Sequence, residues 1–302
     1  MNQPAFLQQV TRADTCTGCG LCAAVSGGIR MAMVPPGYAR PEQVGPVSPD
    51  EDRAIAAACP GLVIDQRENP HDPAEPYWGP QRFTGTGHAT DPALRQQGSS
   101  GAVISALLTH ALASGQIDFV VQTGANPESP LDNATTVSTD AAGVFAAAGS
   151  RYAASSPLAD LEAHLARPGR FAFVGKPCDV AALRARAKAD PRIDARIPLK
   201  IAFFCAGIPS AAGSRRILKA LGTSESEVAA FRYRGDGWPG FATATLKDGS
   251  TRRMSYADSW GNILSKEVQF RCKICPDAVG AAADMACADA WYGDERGYPS
   301  FE

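Results

Sequence analysis

The stretch FAFVGKPC at residues 171–178 determines the fold. It consists of a continuous apolar run, residues 171–174, followed by glycine, lysine, proline and cysteine. Such a run predicts a buried strand followed by the start of a helix, which we place over residues 179–189. The pattern then repeats as a strand over 199–204, a turn at Cys205 and a helix over 211–221. Repetition of strand, turn and helix predicts an α/β layer with a parallel component, within a mixed α+β chain. Its chemistry is expected at the carboxyl ends of the strands.

Toward the N-terminus, a loop of small residues, Gly98-Ser99-Ser100-Gly101, opens a predicted helix over 102–114, and a strand follows over 117–121. Free backbone N–H groups and the helix dipole make such a loop a candidate phosphate site. The alternative is an ordinary serine N-cap, since the loop matches neither the P-loop nor the dinucleotide fingerprint. A second loop, residues 149–152 (Gly-Ser-Arg-Tyr), is either a weaker site of the same kind or a tight turn with an exposed arginine.

Three cysteines near the N-terminus, Cys16, Cys19 and Cys22, are each separated by two residues, with glycines between them. This spacing can place three thiolates around one corner of an iron–sulfur cube. The fourth ligand is predicted to be Cys59, which precedes Pro60 as in the ferredoxin motif and is delivered by a short helix over 50–58. The first 75 residues are therefore predicted to form a ferredoxin-like cluster-binding segment.

Other interpretations of these cysteines are a zinc site, disulfides or buried free thiols. Zinc sites use paired cysteine knuckles, often with histidine, and fit a third equally spaced cysteine less well. Disulfides are disfavoured because the chain has nine cysteines, an odd number, and because residues 1–10 lack the features of a secretory signal. We therefore expect a reducing, cytoplasmic setting.

Composition excludes some partners. The 302 residues include 29 basic and 31 acidic side chains, so no charge excess attracts nucleic acid or an anionic membrane. No apolar run approaches the roughly 18 residues of a membrane span.

Residues 66–87 contain four prolines among polar residues and predict a linker. We divide the chain into a cluster-binding segment, a middle region and a C-terminal region, at residues 1–75, 76–165 and 166–302.

A second group of cysteines is predicted in the C-terminal region. Cys178 and Cys205 follow successive predicted strands, and Cys272 and Cys275 form a further pair. Each alone is most simply a buried thiol, but the four together predict a second cluster. Cys287 is left over and is interpreted as structural.

The motifs of residues 85–302, taken in order, resemble the coenzyme F420 hydrogenase/dehydrogenase beta-subunit family. The resemblance rests on Gly175-Lys176-Pro177-Cys178 with Leu183-Arg184, Phe204-Cys205-Ala206-Gly207-Ile208-Pro209-Ser210, Phe231-Arg232-Tyr233-Arg234 with Gly237-Trp238, Arg271-Cys272 to Cys275, and Ala283-Asp284. The helix from Gly98 and the turn at Gly149 resemble its N-terminal half. Members carry FAD and at least one 4Fe–4S cluster, and some reduce chlorophyll-type tetrapyrroles.

The resemblance implies a role for each candidate residue. The flavin would be held by Gly98, Ser99, Ser100, Gly101, Gly149, Ser150 and Tyr152, with Lys176 and Pro177 near its isoalloxazine ring. Cys178, Cys205, Cys272 and Cys275 would carry the shared cluster, and Cys16, Cys19, Cys22 and Cys59 an additional one. Two departures stand out: Ala102 follows Gly101 where many members have further glycines, and members usually continue past Glu302, so we expect a truncated chain.

The implied function is an FAD and iron–sulfur oxidoreductase. Electrons from ferredoxin or a partner subunit would pass through two 4Fe–4S clusters to FAD, and as hydride to F420, a tetrapyrrole or another small acceptor. The alternative is a non-catalytic beta subunit that relays electrons within a larger hydrogenase or dehydrogenase. His88, His110 and His164 are candidate proton donors, but no catalytic residue is assigned.

Overall fold

The computed structural model describes residues 3–64, 74–75, 79–235, 237 and 239–290. The N-terminal segment contains α1 (Ala5–Arg12), α2 (Leu21–Val25), the antiparallel hairpin of β1 (Ile29–Val34) and β2 (Tyr38–Gln43), and α3 (Pro49–Ala58). Ser48 and Glu51 form a capping box at the start of α3, where each side chain accepts from the other's backbone N–H at 3.2 and 2.7 Å. The predicted helix before Cys59 is therefore confirmed.

A short antiparallel pair, β3 (Ala74–Glu75) and β4 (Gly79–Pro80), follows. Most of the predicted linker over 66–87, with the boundary near residue 75, lies outside the described residues.

The middle of the chain contains α4 (Pro92–Gln97), a 3₁₀ turn (Ser100–Ala102), α5 (Val103–Ala113), β5 (Phe119–Ala125), β6 (Asn133–Ser138), α6 (Ala141–Ala146) and α7 (Leu161–Ala166). The strand predicted over 117–121 begins two residues late and extends to Ala125. Its extension follows from pairing with β6, which continues to Asn133↔Ala125 beyond the apolar run.

Strands and helices then alternate as predicted, in β7 (Phe171–Gly175), α8 (Pro177–Ala187), α9 (Arg192–Arg196), β8 (Leu199–Phe203) and α10 (Ala211–Ala220). The remaining elements are a 3₁₀ turn (Glu225–Glu227), β9 (Val228–Arg232), β10 (Phe241–Leu246), β11 (Thr251–Ser255), a π-helix (Ala257–Ile263), a 3₁₀ turn (Leu264–Glu267), α11 (Phe270–Lys273) and β12 (Met285–Cys287). Helix α8 starts two residues before its predicted beginning, because Pro177 is well suited to the first helical position.

The central sheet has five strands in the order β12-β8-β7-β5-β6. β5, β7, β8 and β12 are parallel, whereas β6 is antiparallel to β5. Every residue of β7 is buried, as expected for a strand covered on both faces. β9, β10 and β11 form a separate antiparallel sheet. The predicted α/β architecture with a parallel component is confirmed.

The N-terminal segment shares its core with the central sheet. Cys19, Leu21 and Ala58 belong to one buried apolar cluster with Phe119 and Phe171 from the strands. Burial of these side chains provides the main driving force for docking the segment. The two groups of cysteines are consequently held in a defined relative position. None of the helices in the described ranges has the length and apolar character needed to cross a membrane.

Candidate functional site

The N-terminal cysteines lie on a loop that folds back on itself. Gly18 and Gly20 have φ values of +79° and +89°, a left-handed conformation that lets the backbone wrap around a centre. Cys16 and Cys19 lie on this loop, Cys22 lies in α2, and Cys59 follows the last residue of α3. The loop is anchored by Leu158 N–H, which donates to Cys19 O at 3.0 Å, and by Ser156 Oγ, which donates to Gly18 O at 2.9 Å.

All four N-terminal cysteines line one small cavity that is partly open to solvent. The remaining lining is mostly apolar and includes Phe6, Val10, Leu21, Met31, Pro41 and Ile55. Burial raises the pKa of Cys22 to about 12 and that of Cys59 to about 11. A thiol in this cavity therefore stays neutral unless a cationic centre stabilises the thiolate.

The cysteines surround this cavity instead of converging on one point. Among the described residues, no three Cys, His, Asp or Glu side chains are close enough together to hold a single metal ion. A 4Fe–4S cube takes one thiolate at each of four separate irons, so its ligands are distributed around a volume. Four thiols that line one mostly apolar cavity have the donor chemistry of such ligands.

The second group lies at the carboxyl ends of β7 and β8. Cys178 is at the start of α8, Cys205 follows β8, and Cys272 lies in α11. Burial has the largest effect on the pKa of Cys178, which it raises. Asp179, Cys205 and Cys272 raise this pKa further, whereas Lys176 lowers it. Cys275 N–H donates to Cys272 O at 3.3 Å, so Cys275 lies one turn after Cys272. The thiol of Cys275 donates to Asp277 O at 3.3 Å.

A buried ion pair lies between the two groups. Lys176 Nζ is 2.7 Å from Asp179 Oδ2, and their side chains are only 4% and 1% exposed. Lys176 Nζ also donates to Ser155 Oγ at 2.9 Å. Although burial favours the neutral amine, the adjacent Asp179 carboxylate raises the pKa of Lys176. Burial also raises the pKa of Asp179, and the ammonium group of Lys176 opposes that rise.

Asp179 contributes to the electrostatics of both cysteine groups. After burial and Cys59, it is the next cause of the raised pKa of Cys19. It also raises the pKa values of Cys178 and Cys205, to about 11 for the latter, although burial has the largest effect on both. One carboxylate therefore affects the pKa values of cysteines in both groups. Its second oxygen, Oδ1, is buried and has no hydrogen-bond partner among the described residues.

Two hydrogen bonds connect the N-terminal segment with residues near Cys272. Arg271, next to Cys272, donates to Pro60 O at 2.9 Å, immediately after Cys59. Tyr38 Oη, from the hairpin of the N-terminal segment, donates to Glu267 O at 2.6 Å. Arg271 also counteracts the pKa rise of Cys59 that burial causes. The two groups are thus neighbours within one structural unit.

The two loops predicted to hold a flavin are brought together. Ser99 Oγ and Ser150 Oγ are 2.7 Å apart, and one donates to the other. Ser100 Oγ donates to Asp289 Oδ1 at 2.6 Å, and Ser100 has an unusual positive φ of 53°. Gly149 has a φ of +109°, and a Cβ there would make only ordinary contacts. Hydroxyl groups at the start of α5 suit a polar cofactor, and the carboxylate of Asp289 suits a hydroxyl or ring N–H better than a phosphate.

The other predicted flavin residues are engaged by the protein itself. Tyr152 packs against Trp260, with ring centroids 4.8 Å apart, and Pro177 is buried at the start of α8. Arg151, which we considered as an exposed turn residue, is partly buried instead. Its guanidinium donates to Asn133 Oδ1, Phe231 O, Pro130 O and Asp132 O at 2.6–2.9 Å. The turn at 149–152 therefore joins the two sheets as well as facing Ser99.

The three histidines within the described ranges, His88, His110 and His164, show no arrangement for catalysis. His164 is buried in α7, and its ring packs edge-on to Phe171. Within the part of the chain that the structure describes, its Nε2 atom has no hydrogen-bond partner. Burial lowers the pKa of His164, which favours a neutral structural side chain. His88 and His110 are exposed.

Sequence reasoning missed several side chains of the site. Asp179 follows Cys178 directly and lies three residues after Lys176. Because side chains three residues apart lie on the same face of a helix, this spacing could have predicted the contact between Lys176 and Asp179. Arg40 and Gln269 are in contact at 2.8 Å but are more than two hundred positions apart, and nothing in their local sequence suggests the contact. Asp289 was considered from the sequence as a residue that binds a polar edge of the flavin or caps a turn. Its ion pair with Arg234, at 2.8 Å across 55 positions, was not expected.

Gly20 offers a specific test of the cysteine loop. An added Cβ would lie 2.8 Å from Ala159 N, and its φ of +89° disfavours any L side chain. We expect Gly20→Ala to destabilise the protein by about 1–3 kcal/mol and to lower the iron content, measured by melting temperature and metal analysis. Gly27→Ala is the matched control, since no atom of the residues that the structure describes lies within 4 Å of its added Cβ. Equal behaviour of the two variants would contradict the described loop geometry.

Comparison with known proteins gives a consistent family match. The model for the N-terminal region of coenzyme F420 hydrogenase/dehydrogenase beta subunits matches residues 84–162, and that for their C terminus matches residues 169–301. Among solved structures, the xenon-derivatised F420-reducing NiFe hydrogenase complex from Methanosarcina barkeri is similar, at 21% identity and a TM-score of 0.53. The alignment covers 70% of this chain and 71% of that chain. No curated protein sequence gives a match.

Proposed function

Because this chain belongs to the coenzyme F420 hydrogenase/dehydrogenase beta-subunit family, we propose that it is an iron–sulfur flavoprotein oxidoreductase. It would take electrons from ferredoxin or a partner subunit and deliver them to an organic acceptor. When bound, two 4Fe–4S clusters would supply single electrons and FAD would convert them to hydride. The observation that carries the proposal is the cavity lined by all four N-terminal cysteines, Cys16, Cys19, Cys22 and Cys59.

The protein's part is to hold the two clusters close together and shielded from water. Cys16, Cys19, Cys22 and Cys59 would ligate one cluster within their apolar cavity. Cys178, Cys205, Cys272 and Cys275 would ligate the other. Thiolate ligands of this kind require a reducing compartment, and we therefore place the protein in the cytoplasm. The division at residues 75 and 165 would separate the added cluster segment from the two family regions.

The flavin would lie along the contact of Ser99 with Ser150. We propose that Gly98, Ser99, Ser100, Gly101, Gly149, Ser150 and Tyr152 line this site and that Lys176 and Pro177 lie on its cluster side. Asp289, held by Arg234, would accept from a hydroxyl or ring N–H of the cofactor. Its position beside Ser100 supports this role.

The acceptor is proposed to be F420 or a tetrapyrrole-like molecule. Support for F420 comes from the similar complex of Methanosarcina barkeri, which is described as F420-reducing. At 21% identity, that likeness supports the fold and leaves the acceptor to experiment.

A second candidate is a relay subunit that docks on a larger dehydrogenase or hydrogenase. It is favoured by exposed apolar side chains beside the C-terminal cysteine group. Phe204, Phe270 and Ile274 are 50%, 49% and 52% exposed and lie within two residues of Cys205 or Cys272. Apolar side chains around an electron-transfer centre are typical of a docking surface.

An anaerobic assay distinguishes the two candidates. The purified chain is given reduced ferredoxin, and both flavin bleaching and F420 consumption are followed by absorbance. Turnover by the chain alone supports the reductase. If the chain alone reduces its flavin rapidly but consumes F420 only after a co-purifying subunit is added, the relay is supported. Absence of any flavin reduction by the donor would contradict both.

A further inference from the structure

Gln269 makes a direct contact with one of the proposed cluster ligands. Its side-chain nitrogen Nε2 donates a hydrogen bond to Cys272 Sγ at 3.3 Å. Gln269 is only 3% exposed, so the amide and the sulfur meet away from solvent. Its backbone is anchored on both sides, because Gln269 N–H donates to Ile208 O and Cys272 N–H donates to Gln269 O, both at 3.1 Å.

The orientation of this amide is set by Arg40. Arg40 Nη1 donates to Gln269 Oε1 at 2.8 Å. A guanidinium group has only donors, so it must face the amide oxygen, and the NH₂ group must then face Cys272. Arg40 is itself held by Asp14, with Nη2 to Oδ1 at 3.1 Å, and lies over the ring of Tyr38 at 5.1 Å.

Arg40 belongs to the N-terminal segment, whereas Gln269 and Cys272 belong to the core. Arg40 lies in β2 and also influences Cys16 of the N-terminal cysteine group. Hydrogen bonds therefore run from Asp14 and Arg40 of the N-terminal segment through Gln269 to Cys272. Tyr38, two residues earlier, donates to Glu267 O and holds the hairpin in place.

We propose that Gln269 raises the reduction potential of the core cluster through its hydrogen bond to Cys272, and that Arg40 is the positioning residue that keeps the amide in its donating orientation. The inference rests on the proposed function, because it requires a cluster at Cys272. Hydrogen bonds to ligand sulfur stabilise the more negative, reduced cluster and so raise its potential. Docking of the N-terminal hairpin would thereby make the core cluster a better electron acceptor.

The test is a redox titration of the anaerobically purified protein, followed by paramagnetic resonance. The core signal is assigned as the one lost in Cys272→Ala. In Gln269→Leu, we expect the ratio of oxidised to reduced core cluster at the wild-type midpoint to rise about three- to tenfold, from the usual strength of one hydrogen bond. A tenfold rise corresponds to about 59 mV for a one-electron couple. Gln269→Glu keeps the acceptor for Arg40 and removes the N–H donor, and should shift the midpoint in the same direction.

Arg40→Met should lower the potential of the core cluster, and Arg30→Met should leave it unchanged. Arg30 is a matched control because it lies in the same hairpin and carries the same charge, but it is exposed and bonds only Glu42 among the contacts described. In the Gln269→Leu background, Arg40→Met should add no further shift, since a positioning residue acts through the side chain it positions.

Three outcomes are decisive. A core signal whose midpoint is the same in wild type, Gln269→Leu and Gln269→Glu overturns the inference and leaves the proposed function intact. A full additional shift from Arg40→Met in the Gln269→Leu background overturns the positioning role. A wild-type protein without any signal that depends on Cys272 overturns the proposed function, and the inference with it.

Discussion

Replacing Lys176 by methionine is expected to destabilise the protein by about 3–5 kcal/mol, because removal of one partner leaves a buried charge unpaired. The partner is Asp179, whose side chain is 1% exposed and 2.7 Å from Lys176 Nζ. Its second oxygen has no hydrogen-bond partner in the described ranges of the chain. Loss of the ammonium group would therefore leave the buried Asp179 carboxylate without its ion-pair partner.

Chemical denaturation of the anaerobically purified protein measures this effect. Lys219→Met is the matched control, since Lys219 is exposed on α10 and should change the free energy of unfolding by less than about 0.5 kcal/mol. Adding Asp179→Asn to Lys176→Met should recover much of the loss, because the unpaired charge is then removed. A Lys176→Met variant as stable as Lys219→Met would show that the ion pair is not buried as described.

Removing one cysteine from either group is expected to abolish one cluster and to interrupt electron delivery to the flavin. Cys59→Ala should lose about four irons per chain, retain flavin, and reduce it with ferredoxin only at the background rate. Cys178→Ala should also lose about four irons per chain, but its N-terminal cluster should still accept electrons. Metal analysis and stopped-flow absorbance measure these effects.

Cys287→Ala is the control for both variants. Cys287 lies in β12 at the edge of the central sheet and belongs to neither group. It should keep the full iron content and the wild-type rate of flavin reduction. If Cys287→Ala loses as much iron as Cys59→Ala, the assignment of ligands is wrong.

The sequence predicted the helices and strands of the α/β core well because their signals are local. The apolar run at 171–174 and the proline at 177 determine a buried strand and a helix start within a few residues. The extension of β5 to Ala125 was missed, since it depends on a partner strand. The sharing of one core by Cys19 and Phe171 was likewise beyond local patterns.

For the site, the sequence identified the cysteines but not the side chains that connect them. Spacing alone indicates Cys16, Cys19 and Cys22, because neighbouring ligands come from one loop. The contacts of Arg40 with Gln269 and of Arg271 with Pro60 join residues more than two hundred positions apart. Such contacts depend on how the N-terminal segment docks, and only the folded chain reveals them.

The most direct measurement is iron, sulfide and flavin quantification on the anaerobically purified wild-type protein, with paramagnetic resonance after reduction. Two groups of four cysteines beside a flavin site predict about eight irons, about eight sulfides and one FAD per chain, with two interacting cluster signals. About four irons, zinc in place of iron, or a chain without flavin would contradict the account.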